Sequence, residues 1–182
     1  MQGFPVYAIE TAPEKSRSAL QALQDAFGMI PNVAGTMATS PVLVDSLVAL
    51  FGKVHGGSFT EAQIQVLLLT NAVTNGCSWA VAFHTGLALK EGLDPADVQA
   101  IRERRVPKNA SSAALSTFAR TLIEKRGRVD ERDVDAFVRA DFRKEHALEV
   151  IAVVAASTIT NYAASMTRPP VETPFKAYSW SA

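Results

Sequence analysis

The chain has 182 residues, 18 basic and 18 acidic, with one cysteine, three histidines and two tryptophans. Its length suits a single domain over 1–182, since single cores usually run to about 100–200 residues, and 48% hydrophobic against 20% charged residues describes a folded chain rather than a disordered one. One cysteine excludes an intrachain disulfide framework and a zinc site built on several thiolates. Balanced charge gives no electrostatic reason to expect nucleic acid or an anionic membrane. Met1–Tyr7 has no basic region followed by an apolar one, and the longest apolar run, Val150–Ala156, is too short to span a bilayer. The expectation is a cytoplasmic protein with no membrane or nucleic-acid partner.

Between proline, glycine and small polar residues the apolar period is helical. Thr11 and Pro13 open a segment carrying Leu20, Leu23 and Phe27, and Gly28 closes it. Ser40–Pro41 reads as a cap followed by proline at the first helical position, and Leu43, Leu47, Leu50, Phe51 and Val54 predict a buried stripe ending at Gly56–Gly57. Thr60 and Gln63 fit a capping box, with Ile64, Leu67 and Leu68 as an inward face. Asn75–Gly76 breaks that helix, and the next begins near Cys77 and runs to Glu91–Gly92. A shorter helix starts at Asp94–Pro95, and another carries Leu115, Phe118, Leu122 and Ile123 up to Gly127. Asp130 caps a helix with Val134, Phe137 and Val138 inward. The last helix spans about 144–166, apolar enough for a core or a subunit contact, until Arg168–Pro169–Pro170 stops it. The tail 168–182, with Phe175, Tyr178 and Trp180, is expected to be extended and to pack on its own body or on a neighbouring subunit. Arg102–Arg105 reads as a solvated helix face. No segment shows strand alternation with hairpin turns, so the fold class is all-α.

The stretch 60–92 carries the chemistry. Cys77 follows Asn75–Gly76 at the start of a helix, where free N–H groups and the positive end of the dipole favour a thiolate. His84 lies seven residues on, which at ~1.5 Å per residue puts the two Cα atoms roughly 10 Å apart, too far for a direct bond in a regular helix. The residue one turn before His84 is Ala80. His55 ends a helix, where a partly cationic imidazole suits the dipole, and His146 lies in a first turn and reads as surface. No histidine and carboxylate set has the spacing of a metal site, so neither metal nor cofactor is expected.

The segment Asn75-Gly76-Cys77-Ser78-Trp79-Ala80-Val81-Ala82-Phe83-His84 resembles the core motif of the carboxymuconolactone decarboxylase superfamily, in its alkyl hydroperoxidase D-like branch. That motif has a glutamate, eleven residues, Cys-x-x-Cys, three residues and a histidine. Pro31–Asn32–Val33, Pro41, Asn161–Tyr162 and Thr173–Pro174–Phe175 extend the resemblance over nearly the whole chain. It implies an oligomeric helical fold (dimer, trimer or hexamer) and thiol peroxidase chemistry on a hydroperoxide. In that chemistry the second cysteine attacks, the first resolves, and the glutamate and histidine manage the proton. Here the first cysteine falls on Cys77 and the histidine on His84, but the second cysteine is Ala80 and the glutamate is Gln65. One cysteine cannot complete a dithiol cycle. What the resemblance leaves is a degenerate antioxidant protein, weak, inactive or working through Cys77 and an external thiol reductant. A cofactor-free lyase of the decarboxylase type and a non-catalytic oligomer binding a small apolar ligand stand beside it. Cys77 and His84 are the candidate catalytic residues, and Trp79 and Asn75 the candidate pocket residues.

Overall fold

Nine α-helices and two short 3-10 segments make up the regular structure of residues 3–181, which the computed structural model describes; no strand occurs among them. Met1 and Gln2, at the start of the segment read for a leader, and Ala182, at the end of the tail, lie outside the described residues. In chain order the helices are α1 (Arg17–Phe27), α2 (Asn32–Met37), α3 (Pro41–His55), α4 (Glu61–Thr74), α5 (Ser78–Lys90), α6 (Pro95–Arg102), α7 (Ala110–Glu124), α8 (Glu131–Arg139) and α9 (Lys144–Thr167). The 3-10 turns are Glu14–Ser16 and Thr173–Tyr178.

Helix α4 is the axis of the bundle. It starts at the Thr60–Gln63 capping box, and every residue from Ile64 to Val73 is buried. The single inward face expected of it is therefore too narrow. A helix apolar around most of its circumference needs partners on all sides, and α4 has them in α5, α6, α7 and α9. Its end is fixed by backbone geometry. The Cys77 N–H bonds the Ala72 carbonyl at 3.0 Å and the Gly76 N–H bonds the Val73 carbonyl at 3.2 Å, with Gly76 at φ 66°. This is a Schellman closure, which requires a left-handed residue that glycine adopts without a Cβ penalty. Asn75–Gly76 thereby turns the chain and delivers Cys77 as the N-cap residue of α5.

Helix α9, at 24 residues, is long and apolar enough to cross a membrane by length and composition alone. It packs on α2, α3, α4 and α5, with Val150, Val153 and Ala156 fully buried. Only one face is covered, however: Leu148, Ile151, Tyr162 and Met166 stay exposed. In the α3 stripe, Leu47 and Val54 are buried while Leu43, Leu50 and Phe51 are half-buried.

The tail is not extended. Residues Thr173–Tyr178 form a 3-10 helix that lies on α5 of its own chain. Arg102 fastens it: its guanidinium donates to the carbonyls of Tyr178 (3.0 Å) and Ser179 (3.2 Å) and to Thr85 Oγ1 (2.7 Å), while Trp180 Nε1–H donates to the Arg102 carbonyl at 3.2 Å. Arg102 is thus a half-buried clasp rather than part of a solvated face. Upstream, the buried Glu172 carboxylate accepts from the Asn32 N–H at 2.6 Å and from Trp79 Nε1–H at 3.2 Å, tying the tail to both α2 and α5.

Candidate functional site

The structure joins two of the motif positions. His84, on the second turn of α5, meets Gln65, on the second turn of α4, with Nδ1 and Oε1 3.0 Å apart; both residues are buried. With a carbonyl oxygen as the partner, His84 carries its proton on Nδ1 and presents the Nε2 lone pair. Burial, with a smaller contribution from the nearby His55, pulls the His84 pKa from 6.5 down to about 3. The imidazole is neutral at any physiological pH. A glutamate at position 65 would favour the imidazolium by its charge; an amide orients the ring without charging it.

Aromatic side chains surround this pair. Phe83 stacks on Trp79 (centroids 4.9 Å apart, planes at 18°), stands edge-on to His84 (5.5 Å, 89°) and contacts Phe175 of the tail (4.6 Å). A cavity of about 480 Å³ is lined by Phe27, Phe51, His55, Gln65, Phe83 and Phe175 among others. A smaller one, about 50 Å³, holds His84, Trp79 and Thr160 and shares Leu23, Phe27, Phe51 and Phe83 with the first. Gln65 thus faces the larger space and His84 the smaller, across a common phenylalanine wall. The larger falls in the volume range of small-molecule sites, which are mostly apolar with a few convergent polar groups.

The remaining predicted residues lie elsewhere. Cys77 is 2% exposed at the start of α5 and lines neither cavity. Ala80, one turn below His84, is fully buried. Trp79 does line the smaller cavity, with its N–H spent on Glu172. Asn75 does not: its side chain donates to Asn71 Oδ1 at 2.6 Å and borders a separate groove with Ile151 and Tyr162. No group of three or more His, Cys, Asp or Glu among the described residues is arranged to hold a metal ion.

One pair in the larger cavity escaped the sequence reading. His55 does not simply face the dipole at the end of α3; its Nδ1 sits 3.0 and 2.8 Å from the two carboxylate oxygens of Glu61 in the first turn of α4. The ring stacks on Phe51 (5.6 Å, 26°) and meets the edge of Phe27 (6.1 Å, 72°). The available signal was a histidine and a glutamate six residues apart across Gly56–Gly57 and a capping box, which fixes where α4 begins. His146 also differs from its surface reading. It is half-buried, caps α9 by accepting from the Arg143 N–H at 3.1 Å, and packs on Phe59 and Phe142.

Residues 41–122 match the carboxymuconolactone decarboxylase family. No curated protein matches the sequence. Solved structures superpose over almost the whole chain at low identity. The alkylhydroperoxidase AhpD core, an uncharacterized peroxidase-related protein from Ralstonia eutropha JMP134, aligns with a TM-score of 0.81 at 21% identity, covering 94% of this chain and 93% of that one. A cysteine-to-alanine variant of the debrominase Bmp8, in complex with 2,3,4-tribromopyrrole, gives 0.80 at 17% identity, covering 98% and 96%. An uncharacterized peroxidase-related protein from Silicibacter sp. TM1040 gives 0.76 at 16% identity, covering 94% and 91%. Over residues 41–122 the chain is thus similar to the carboxymuconolactone decarboxylase family, and as a whole it takes the AhpD-like helical fold.

Proposed function

We propose that the protein takes a small, largely aromatic molecule into the cavity between α1, α3, α4, α5 and the tail, and acts on it without a thiol redox cycle. The observation that carries this reading is the buried His84–Gln65 bond of 3.0 Å, set against a phenylalanine-lined cavity that Cys77 does not line. Of this pair Gln65 borders the cavity with its amide, while the neutral imidazole, its Nδ1–H engaged, offers an Nε2 acceptor to the smaller space behind the shared phenylalanine wall. That is the polar element of a cofactor-free lyase or isomerase site, and a debrominase of the same fold holding a brominated pyrrole fits the same class of ligand. A second reading is favoured by the place of Cys77 at the start of α5, with no capping bond from its side chain. There the Cys77 thiolate attacks the O–O bond of a hydroperoxide, forming a sulfenic acid and releasing the alcohol, and an external thiol restores it.

Stoichiometric cumene hydroperoxide separates the two. Intact-mass analysis is expected to show Cys77 unmodified, while ligand-observed NMR shows the cumyl ring shielded by the phenylalanines. Sulfenic acid at Cys77 with catalytic consumption of peroxide would replace the first reading by the second.

We also propose that copies of the chain associate through the outer face of α9, where exposed Leu148, Ala155 and Tyr162 repeat every seven residues beside Ile151 and Met166. This is the spacing of a helix–helix seam. Light scattering is expected to give a multiple of 19.5 kDa that falls towards one copy in the Leu148→Glu, Tyr162→Lys double variant. A monomeric parent rules the seam out.

A further inference from the structure

We propose that Gln65 selects the ligand of the larger cavity, and that this ligand is an uncharged aromatic molecule bearing a carbonyl, an aryl ketone or aldehyde, whose oxygen accepts from the Gln65 amide N–H. The inference rests on the cavity reading above and adds to it the chemistry by which the ligand is chosen.

Three observations support it. First, the amide is oriented. Oε1 lies 3.0 Å from His84 Nδ1, which spends the oxygen on the imidazole and points the NH2 away from it. Second, that NH2 is a donor with nothing to donate to. Gln65 is 4% exposed, and its Nε2 has no hydrogen-bond partner among the described residues. Yet Nε2 is not sealed: the unpartnered polar atoms closed to solvent are His55 Nε2, Arg120 Nε and Asn161 Oδ1. A buried donor without a partner carries a desolvation cost that a ligand acceptor would relieve. Third, the space it opens into is known. Gln65 stands in the wall of the larger cavity and not of the smaller one, to which His84 belongs.

The rest of the wall narrows the ligand class. His55 offers no nitrogen to a ligand, because Nδ1 faces the Glu61 carboxylate and Nε2 is closed. The charged residues of the lining, Glu61, Lys90 and Glu91, are exposed residues at the start of α4 and the end of α5. The buried polar contact left to a ligand is therefore one neutral donor. A carboxylate placed there would give up its water for a single amide, with two acidic side chains against one lysine around it, and a buried charge needs better pairing than that. A carbonyl oxygen carries no net charge and needs one donor. Joined to an aromatic ring, it reaches Gln65 while the ring lies against Phe27, Phe51, Phe83 and Phe175. The amide is decisive, since an ionised carboxylate at position 65 would present only lone pairs and repel the same oxygen.

The test uses the full-length protein and three probes of similar size: acetophenone, α-methylstyrene (a CH2 group in place of the carbonyl oxygen) and indole, which brings an N–H donor instead. Ligand-observed NMR reads binding, and infrared difference spectra read the acetophenone carbonyl stretch. In the parent, bound acetophenone is expected to show that stretch at lower frequency than in hexane, the mark of an accepted hydrogen bond. Gln65→Met should weaken acetophenone about tenfold, the scale of one buried neutral hydrogen bond, while α-methylstyrene binds at least as well as before. Retained α-methylstyrene binding also shows that the variant keeps its cavity. The infrared reading needs no variant, so it decides the matter even where Gln65→Met does not fold. An unshifted carbonyl stretch in the bound parent overturns the assignment of Gln65 and leaves the cavity reading intact. So does a loss confined to indole in Gln65→Met, which would put the amide oxygen and not the NH2 in the cavity. No binding of any probe by the parent overturns the cavity reading and this inference with it.

Discussion

Acidification from pH 6.5 towards 3 is expected to destabilise the protein along a slope to which one buried imidazole contributes. His84 ionises at about 3 in the folded chain against 6.5 in an unfolded one, because burial removes the water an imidazolium needs. Between those values the unfolded state binds a proton that the folded state refuses, so stability rises with pH across the window. The contribution is complete above 6.5, erodes by up to about tenfold in the folding constant per pH unit below it, and is exhausted near 3. Urea unfolding of the parent and of His84→Gln at neutral and mildly acidic pH checks this. The variant should be weaker at neutral pH, since the Gln65 contact and the ring packing change, but its stability should fall less steeply with acid. Gln65→Glu should raise the His84 pKa, visible in the imidazole proton resonances, by placing a carboxylate within hydrogen-bond reach. Equal acid slopes in parent and His84→Gln would remove His84 as the cause.

Replacing Gly86 by valine is expected to expel the aromatic tail. A Cβ at that position of α5 would lie 2.5 Å from Phe175 Cδ1, 2.8 Å from Cε1 and 3.1 Å from Tyr178 Cε2. Those atoms belong to rings clamped between α5 and the Arg102 bonds, so the tail has to lift as a unit. Lifting it removes Phe175 from Phe83, releases Trp180 from the Arg102 carbonyl and strips one wall from the larger cavity. Overpacking in a well-packed site typically costs 1–3 kcal/mol, and loss of the docked tail puts this change at the upper end, about 3 kcal/mol. Limited proteolysis should then cut near residues 170–181 while the bundle survives, and Trp180 emission should shift towards that of a solvated indole. Gly86→Ala should do the same more weakly. An intact tail in Gly86→Val would show that α5 and the tail can separate without undocking.

Helix positions were legible because their causes are local. Ser40–Pro41, the Thr60–Gln63 box and Asn75–Gly76 are capping signals whose hydrogen bonds form within a few residues, and each closes or opens a helix where its sequence indicates. The tail was misread because nothing local holds it. Its 3-10 turn is supported by Arg102, Thr85 and Phe83, roughly 75–95 residues away in sequence. Burial on α4 was misjudged for a related reason: a run such as Val66–Leu69 states that a helix is apolar, not how many neighbours it has.

The candidate site divides along the same line. The sequence by itself determined that one cysteine cannot form an intrachain dithiol pair, and that Gln65, unlike a glutamate, cannot take a proton. Only the tertiary structure decided that Gln65 and His84 touch, that Cys77 lines neither of the two cavities they border, and that His55 meets Glu61 across the α3–α4 turn. Composition and spacing constrain a residue's chemistry and its place along one helix. Which side chains converge depends on how separate helices pack, and that is set by the sum of many buried contacts rather than by any motif.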